Sequence, residues 1–251
     1  MGKIIVFANQ KGGVGKTTSA VNIGAYLAEM GKKVLLIDFD SQANCSSNVG
    51  ADNQKPGIYE VITAHVSGNQ AVQETAVPGL SIIPSSINLS GATVELADVE
   101  GREYYLKKAL DGFKHNYDYI LIDCPPSLGI LTINGLAAAN YVLIPLQCEY
   151  FALEGLNSLL QTIKTVQQGI NPDLQIGGIL FTMYDTRTRL AHEVVQEVTQ
   201  YFKDKVFRTV VPRNVRLSEA PSYSVPINKY DPDCIGAVSY KKLAEEVVEY
   251  V

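Results

Sequence analysis

The sequence predicts an α/β fold: a mostly parallel, twisted sheet of about seven to eight strands with helices on both faces. Short apolar runs rich in β-branched residues alternate along the chain with longer stretches of helical period. The 251 residues are 46% hydrophobic and 19% charged, a composition typical of a folded core. No internal repeat or low-complexity tract divides the chain, so we expect residues 1–251 to form a single domain.

The alternation assigns each element in order. Seven apolar runs are predicted to be strands: Ile4–Ala8, Val34–Asp38, Leu80–Pro84, Tyr119–Asp123, Tyr141–Pro145, Ile176–Met183 and Val206–Val211. Five stretches are predicted to be helices: Thr17–Met30, Arg102–Asn116, Glu154–Gln168, Leu190–Phe202 and Gly236–Tyr250. Residues 51–101 are less regular and rich in glycine and proline, which predicts an excursion at the edge of the sheet.

Composition excludes several classes of protein. The formal net charge of −5 gives no global sign of a nucleic-acid or membrane binder. The four cysteines, Cys45, Cys124, Cys148 and Cys234, are far apart, so we expect buried, reduced thiols and no zinc or iron–sulfur site. The chain has no apolar run of about 18 residues and no signal-peptide pattern, so we expect a cytoplasmic protein.

The strongest functional signal is a glycine-rich loop directly after the first predicted strand. Its sequence over residues 11–18 is Lys-Gly-Gly-Val-Gly-Lys-Thr-Thr, and an amphipathic helix follows. Glycines let backbone N–H groups turn inward around an anion, and the helix N-terminus attracts the same charge. Lys16 then supplies a cation to the β- and γ-phosphates, and the Thr17 hydroxyl can bind a bridging Mg²⁺. The predicted phosphate-binding residues are Lys11, Gly12, Gly13, Val14, Gly15, Lys16, Thr17 and Thr18.

The loop departs from the ordinary phosphate-loop pattern at two neighbouring positions. Gln10 stands where that pattern has its first glycine, and Lys11 lies beside it. This form resembles the deviant Walker A loop of the ParA and MinD ATPases. The resemblance implies a P-loop NTPase fold, ATP and Mg²⁺ as ligands, slow partner-stimulated hydrolysis, and an ATP-bound homodimer. In that dimer Lys11 would contact the nucleotide of the second copy, where a cation stabilises the charge on the transferred phosphoryl group.

Aspartates follow two further predicted strands. Asp38 and Asp123 end these strands, and Asp40 comes two residues after Asp38. The carboxyl ends of parallel strands are where α/β sheets build ligand sites, although an aspartate there can also cap the next helix. The resemblance assigns Asp40 to activating the attacking water and Asp123 to holding Mg²⁺ through water, with Asp38 in support. Ser41 replaces the proline usual in the family, which predicts a more flexible loop.

Other segments extend the resemblance to essentially the whole chain. Residues 124–129, Cys-Pro-Pro-Ser-Leu-Gly, are stiffened by two prolines and correspond to a switch region in the family. Met183, Pro212 and Asn214 are implied as adenine contacts, although the first two also suit ordinary packing. Residues 211–221 favour the chromosomal ParA branch. We expect no N-terminal helix-turn-helix domain of the plasmid type, since the loop begins at residue 11.

A basic segment indicates a nucleic-acid partner independently of the loop. Residues 186–216 contain seven cations against three anions, and five of the six arginines of the chain. This clustering predicts a basic face on an otherwise acidic body, although solvated helix faces collect charge in the same way. In the ParA branch the arginines matching Arg187 and Arg216 bind DNA without sequence preference. The resemblance therefore implies these two as DNA-binding residues.

The resemblance as a whole implies an ATPase that partitions chromosomal or plasmid DNA. Its ATP-bound dimer would bind non-specific double-stranded DNA on the nucleoid, and a ParB-type protein would stimulate hydrolysis to ADP and release.

Three alternatives compete with this function. One is a MinD-like ATPase that positions membrane or protein cargo, but residues 240–251 hold three glutamates against two lysines and predict a docked helix. A metal-cluster carrier of the nitrogenase iron-protein type would need paired cysteines. A nucleotide-gated scaffold that binds ATP but barely hydrolyses it is disfavoured because Lys16, Thr17, Asp40 and Asp123 are intact.

Overall fold

Seven strands form one sheet within residues 2–150 and 152–251, the part of the chain that the computed structural model describes. They are β1 (Lys3–Phe7), β2 (Val34–Asp38), β3 (Gln73–Glu74), β4 (Leu80–Ile83), β5 (Tyr119–Asp123), β6 (Tyr141–Gln147) and β7 (Gln175–Thr182). The strand order is β3-β4-β2-β5-β1-β6-β7. All neighbours are parallel except the short edge strand β3, which is antiparallel to β4. The predicted, mostly parallel sheet is confirmed.

Helices cover both faces of the sheet. They are α1 (Lys16–Glu29), α2 (Asn44–Asn48), α3 (Ile58–Ile62), α4 (Gly68–Ala71), α5 (Leu89–Glu95), α6 (Tyr105–Asp111), α7 (Ile130–Ala138), α8 (Ala152–Gly169), α9 (Arg189–Phe202), α10 (Val215–Glu219), α11 (Ile227–Tyr230) and α12 (Ile235–Tyr250). Short 3₁₀ turns occur at Arg102–Tyr104, Lys114–Asn116, Lys203–Lys205 and Ala220–Tyr223.

The central strands are apolar on both sides because both faces of the sheet are covered. Along β1, Ile4 and Val6 belong to one hydrophobic core, and Ile5 and Phe7 belong to the other. This division follows from the period of two in a strand, which sends successive side chains to opposite faces. The first core also contains residues of α6, α7, α8 and α9, and the second contains residues of α1 and α12.

Helix α1, which carries the phosphate loop at its N-terminus, packs closely on the sheet. A Cβ atom at Gly24 would lie 3.2 Å from the side chains of both Leu36 and Leu121, so glycine lets the helix approach the strands. On its other side α1 contacts α12, and the Ser19 and Tyr240 hydroxyls lie 3.0 Å apart in a buried hydrogen bond. The loop is therefore anchored through a helix that is fixed from two directions.

Residues 206–211, predicted to be a strand, are not one. Val206 and Pro212 form isolated bridges to β7 and the adjoining Tyr184, and no ladder joins them. The backbone N–H groups of Arg208 and Thr209 instead donate to the buried carboxylate of Glu246 on α12, at 2.8 and 3.0 Å. The seventh strand of the sheet is β3, within the excursion over residues 51–101 that was predicted to lie at the sheet edge.

The predicted helix Arg102–Asn116 is broken into three pieces. The side-chain amide of Asn134 donates to the Arg102 carbonyl, and its oxygen accepts from the Leu106 N–H at 3.1 Å, so this side chain replaces backbone bonds at the N-terminus of α6. Gly112 is the C-cap residue of α6. Among the cysteines, three are buried as expected and Cys234 is half-buried at the start of α12, and all are free thiols.

Candidate functional site

The loop between β1 and α1 adopts a conformation that its glycines make possible. Gly13 and Gly15 have φ values of 72° and 83°, in the left-handed region that favours glycine. Gly15 is the N-cap of α1, so the unpaired N–H groups of the first helical turn face the loop. A backbone of this shape at a helix N-terminus suits an anion such as a phosphate.

Two buried side chains that sequence reasoning missed hold this loop in place. Asn9 donates from its amide nitrogen to the Pro145 carbonyl at 2.7 Å and accepts from the Lys11 N–H at 3.0 Å. The Thr182 hydroxyl, at the end of β7, donates to the Val14 carbonyl at 2.8 Å. Both residues tie the loop to the strands on one side of β1, and no motif in the sequence marks them.

Lys16 is buried at the centre of the loop. Only 6% of the residue is exposed, and its ammonium donates to the Lys11 carbonyl at 3.2 Å. Burial lowers the pKa of Lys16, and the nearby carboxylate of Asp123 acts in the opposite direction. An anion bound in the loop would favour the charged form of this buried lysine.

Asp38 and Asp123 lie side by side because β2 and β5 are neighbouring strands in register at these residues. Burial is the main cause that raises the pKa of both carboxyl groups, and each is also near the negative charge of Asp40. Asp123 is 1% exposed, and neither of its carboxylate oxygens has a hydrogen-bond partner among the described residues. The Thr17 hydroxyl is near enough to lower its pKa but is not in hydrogen-bond geometry.

Asp38 has a different environment from Asp123. Its carboxylate accepts from the Ser46 N–H and hydroxyl, both at 2.7 Å, and from the Asp40 N–H at 3.2 Å. The Ser46 hydroxyl also accepts from the Ser85 N–H at 2.9 Å. Asp38 therefore organises the loop that follows β2 and holds the Asp40 backbone, which agrees with the supporting role expected for it.

Asp40 itself is half-buried beside the glycine-rich loop. Its side chain accepts from the Gln42 N–H at 3.0 Å, and its carbonyl accepts from the Ala43 N–H at 2.9 Å. These two hydrogen bonds form a turn over residues 40–43, which includes Ser41. The flexibility expected from the missing proline stays a prediction.

Most of the predicted nucleotide-binding residues line one cavity of about 420 Å³ at the carboxyl ends of the strands. They are Gly12, Gly13, Gly15, Lys16, Thr17, Thr18, Asp40, Met183, Pro212 and Asn214. Pro126, from the segment expected to be a switch, lines the same cavity. Asn44 and Asn48 of α2 also line it, and sequence reasoning did not identify them. Val14 and Asp123 are buried and do not line this cavity.

The far side of the cavity is built by two connected segments. The Tyr184 N–H donates to the Val211 carbonyl at 3.0 Å, and the Arg213 N–H donates to the Tyr184 carbonyl at 3.1 Å. These bonds place Met183, which has a φ of 49°, next to Pro212. The Asn214 oxygen accepts from the Arg216 N–H and so caps α10. Capping uses the oxygen of this amide and leaves its NH₂ group as the donor for a ligand.

Lys11 does not line this cavity. Its ammonium forms a short ion pair with the Glu149 carboxylate, which also accepts a hydrogen bond from the Gln147 amide at 2.5 Å. Glu149 was not singled out by sequence reasoning. Lys11 must leave Glu149 in order to reach a nucleotide on a second copy of the chain, as the resemblance implies.

Arg187 and Arg216 lie outside the cavity, on the surface next to its far side. Arg187 follows the end of β7, and Arg216 lies in α10, two residues after Asn214. Their side chains are 85% and 53% exposed, and both form ion pairs with carboxylates of the same chain. Residues 186–216 carry more cations than anions. In the folded protein, carboxylates outside this segment therefore reduce its excess positive charge.

The site fits a magnesium–nucleotide complex. Oxygen donors are the ligands that Mg²⁺ prefers, and the Thr17 hydroxyl lies near the Asp123 carboxylate, which has no hydrogen-bond partner among the described residues. Lys16 and the N–H groups of the loop and first helical turn fit the phosphates, and the cavity between Met183, Pro212 and Asn214 has room for the base.

The C-terminal segment forms the docked helix that the sequence predicts. The apolar side of α12, which includes Ala237, Leu243 and Val247, is buried in the second hydrophobic core. In the part of the chain that the structure describes, no helix combines the length and apolar character needed to cross a bilayer.

Comparisons with known proteins agree with this fold and site. A protein-family model described as an AAA domain matches residues 2–176. The chain is 64% identical over 248 residues to the chromosome-partitioning ATPase Soj of Treponema pallidum. The alignment covers 99% of this chain and 98% of that protein.

Solved structures also resemble it. A Mycobacterium smegmatis protein described as cobyrinic acid a,c-diamide synthase, with bound ATP analogue and magnesium, has a TM-score of 0.86 at 38% identity, covering 99% of this chain and 95% of that one. The septum site-determining protein MinD of Pyrococcus horikoshii, complexed with Mg-ADP, has a TM-score of 0.83 at 28% identity, covering 98% and 96%.

The fold and the phosphate loop thus define a P-loop ATPase. The chain belongs to the ParA/MinD family, in which it is similar to the chromosome-partitioning ParA, or Soj, proteins.

Proposed function

We propose that this protein is the ATPase of a DNA partition system, and that ATP controls its affinity for DNA. The observation that carries the proposal is the meeting of Lys16, Thr17 and Asp40 in one cavity, with the unpartnered carboxylate of Asp123 behind it. These are the groups that hold a phosphate chain and Mg²⁺ and that orient an attacking water. The 64% identity to a chromosome-partitioning ATPase supports the biological role.

The proposed roles of the site residues come from the family resemblance, and their positions in the structure support them. Lys16 and the loop N–H groups would bind the phosphates, and Thr17 and Asp123 would hold Mg²⁺, the latter through water as the family resemblance implies. Asp40 is half-buried at the cavity wall and can orient the water that attacks the terminal phosphate. When bound, Mg²⁺ neutralises phosphate charge.

Two copies of the chain are proposed to close on each other when ATP is bound. Gly12 and Pro126 line the cavity, and Lys11, one residue before Gly12, is held by Glu149. Exchange of this ion pair for a nucleotide on the second copy would make a dimer that depends on ATP. A dimer doubles the number of cations presented to DNA, and binding by counterion release strengthens with each phosphate neutralised.

Hydrolysis then separates the two copies and releases the DNA. We propose that a ParB-type centromere-binding protein stimulates this step, and that the protein works on the nucleoid. The DNA contacts are assigned to Arg187 and Arg216, which are exposed on the side of the cavity where adenine is proposed to bind.

The test uses Asp40→Ala protein, in which hydrolysis is blocked and the dimer is trapped. The protein is incubated with non-specific duplex DNA on beads, with ATP, with ADP and without nucleotide, at two salt concentrations. We expect retention with ATP only, and less of it at the higher salt concentration.

The matched control is Lys16→Ala in the Asp40→Ala background, which should not bind ATP and should not be retained. Retention of Asp40→Ala in all three nucleotide states would contradict the ATP switch. An intact ATP-dependent dimer that is never retained would contradict DNA binding, and lipid vesicles would then be the next ligand to test.

A further inference from the structure

Each of the two proposed DNA-binding arginines is paired with carboxylates in the protein itself. Arg187 donates from Nε to one oxygen of Asp185 at 2.9 Å and from Nη2 to the other at 2.7 Å. This two-point geometry is the one in which a guanidinium binds a phosphate. Hydrogen bonds from Arg187 hold the pKa of Asp185 well below its usual range, so the aspartate stays charged.

Arg216 has two carboxylate partners. Its Nη1 donates to Glu219 at 2.9 Å, and its Nε lies 3.2 Å from an oxygen of Asp231. The Tyr230 hydroxyl donates to the same Glu219 oxygen at 3.0 Å and so helps to fix that carboxylate. Glu219 lies within residues 211–221, but the sequence pattern indicated no role for it.

These pairs lie on the surface, where a competing anion can reach them. The Arg187 side chain is 85% exposed, and exposed ion pairs contribute little to stability and exchange readily with solvent ions. Asp185 itself is less exposed, and one of its oxygens also accepts from the Arg187 N–H at 3.0 Å. The carboxylate is thus fixed to the backbone, while the guanidinium can turn away from it.

We propose that Asp185, Glu219 and Asp231 compete with DNA phosphates for Arg187 and Arg216, and thereby weaken the affinity of the protein for DNA. This inference rests on the DNA-binding function proposed above. A DNA phosphate must displace a carboxylate or share a guanidinium with it, and either event leaves a negative charge close to the DNA. The carboxylates keep single copies off DNA, so that the larger number of contacts in a dimer is required for binding.

The test replaces Asp185 by asparagine in the full chain with ATP. Asparagine keeps the oxygen that accepts from the Arg187 N–H but removes the charge. Affinity for a non-specific duplex is measured by fluorescence anisotropy at several salt concentrations. We expect the Asp185→Asn variant to bind DNA roughly two- to five-fold more tightly than wild type at low salt, with an unchanged affinity for ATP.

The matched control is Asp173→Asn, which changes the net charge equally at an exposed residue just before the opposite end of β7. A second variant, Asp185→Asn with Arg187→Ala, should lose the gain because the released arginine is absent. Equal affinities of Asp185→Asn and Asp173→Asn, or weaker binding by Asp185→Asn, would overturn this inference alone. Failure of wild type and both single variants to bind DNA with ATP would overturn the DNA-binding function as well.

Discussion

At the residue scale, the site depends on buried ionisable side chains that have few hydrogen-bond partners among the described residues. Lys16 has a backbone carbonyl as its hydrogen-bond partner, and Asp123 has no hydrogen-bond partner among the described residues. Burial disfavours the charged form of both groups, which lowers the pKa of Lys16 and raises the pKa of Asp123, and ligands of opposite charge would favour the charged forms. The site is thus arranged for a phosphate and a cation before either binds, and small side chains around it keep it in shape.

The Thr182→Val variant tests whether side chains around the glycine-rich loop fix its shape. Valine has nearly the same shape as threonine but leaves the Val14 carbonyl without its 2.8 Å hydrogen bond. We expect the free energy of unfolding to fall by about 1–2 kcal/mol, and the Kd for ATP to rise by about three-fold or more because the loop is less fixed. Chemical denaturation and calorimetric titration with ATP measure the two effects.

Thr162→Val is the matched control, since the Thr162 hydroxyl donates at 3.1 Å to the Ser158 carbonyl within α8, away from the cavity. It should leave the Kd for ATP unchanged. A Thr182→Val protein with wild-type affinity for ATP would show that the loop holds its shape without this bond.

At the scale of elements, the site is assembled where segments from distant parts of the chain meet at the carboxyl ends of the strands. The loop before α1 lines the cavity together with Pro126, which follows β5, and with Thr182 and Met183 at the end of β7. Each strand positions its following segment because the parallel ladder fixes the register of neighbouring strands. In the proposed dimer, we expect contacts between these segments to decide whether a second copy can close over the nucleotide.

The Gly12→Val variant tests closure at this level. Within one chain, a Cβ atom at Gly12 would lie 3.6 Å from the Cβ of Pro126, an ordinary van der Waals contact. ATP should therefore still bind, whereas the larger side chain should collide at the proposed interface. Overpacking of a tight contact costs about 1–3 kcal/mol, so we expect the association constant of the dimer to fall roughly ten-fold or more.

Light scattering on Gly12→Val in the Asp40→Ala background, with and without ATP, measures dimerisation. Nucleotide titration of the same protein is the internal control for the intact site. A dimer as stable as that of Asp40→Ala alone would remove Gly12 from the interface.

At the scale of the whole molecule, the two hydrophobic cores and the single sheet fix the position of the nucleotide cavity relative to the surface that carries Arg187 and Arg216. The segment after β7 reaches both, because Met183 lines the cavity and Arg187 lies four residues further on. The segment of residues 211–216 does the same through Pro212, Asn214 and Arg216. ATP and DNA are thus proposed to bind to neighbouring parts of the same two segments.

The Arg216→Glu variant should separate DNA binding from dimerisation. Reversal of this charge removes a cation that neutralises a phosphate and adds repulsion, so we expect affinity for non-specific duplex to fall on the order of ten-fold or more at low salt. The slope of log affinity against log salt should decrease by about one for each phosphate that is no longer neutralised. Anisotropy measures DNA binding, and light scattering with ATP checks that the dimer persists.

Arg102→Glu is the matched control, since Arg102 is the one arginine outside residues 186–216 and should leave DNA binding nearly unchanged. An Arg216→Glu protein with full affinity for DNA would exclude this arginine from the DNA-binding surface.

Much of the fold was predictable because it depends on local sequence patterns. The apolar runs of β1, β2, β5, β6 and β7 are buried on both faces and carry their own signal. Residues 206–211 carry the same signal but are not a strand, because Glu246 on α12 takes two of their backbone N–H groups. A pattern of side chains cannot reveal a competitor for hydrogen bonds that lies 37 or 38 residues away.

The sequence by itself determined the class of the site, because phosphate binding needs glycines, a lysine and a threonine at fixed spacing in one short segment. Only the tertiary structure decided the partners of these groups. Glu149 holds Lys11, Thr182 holds the loop, and Asp185 holds Arg187. Charges and hydrogen bonds act through space, so their strength depends on distances that the fold sets between residues, many of them far apart in the chain.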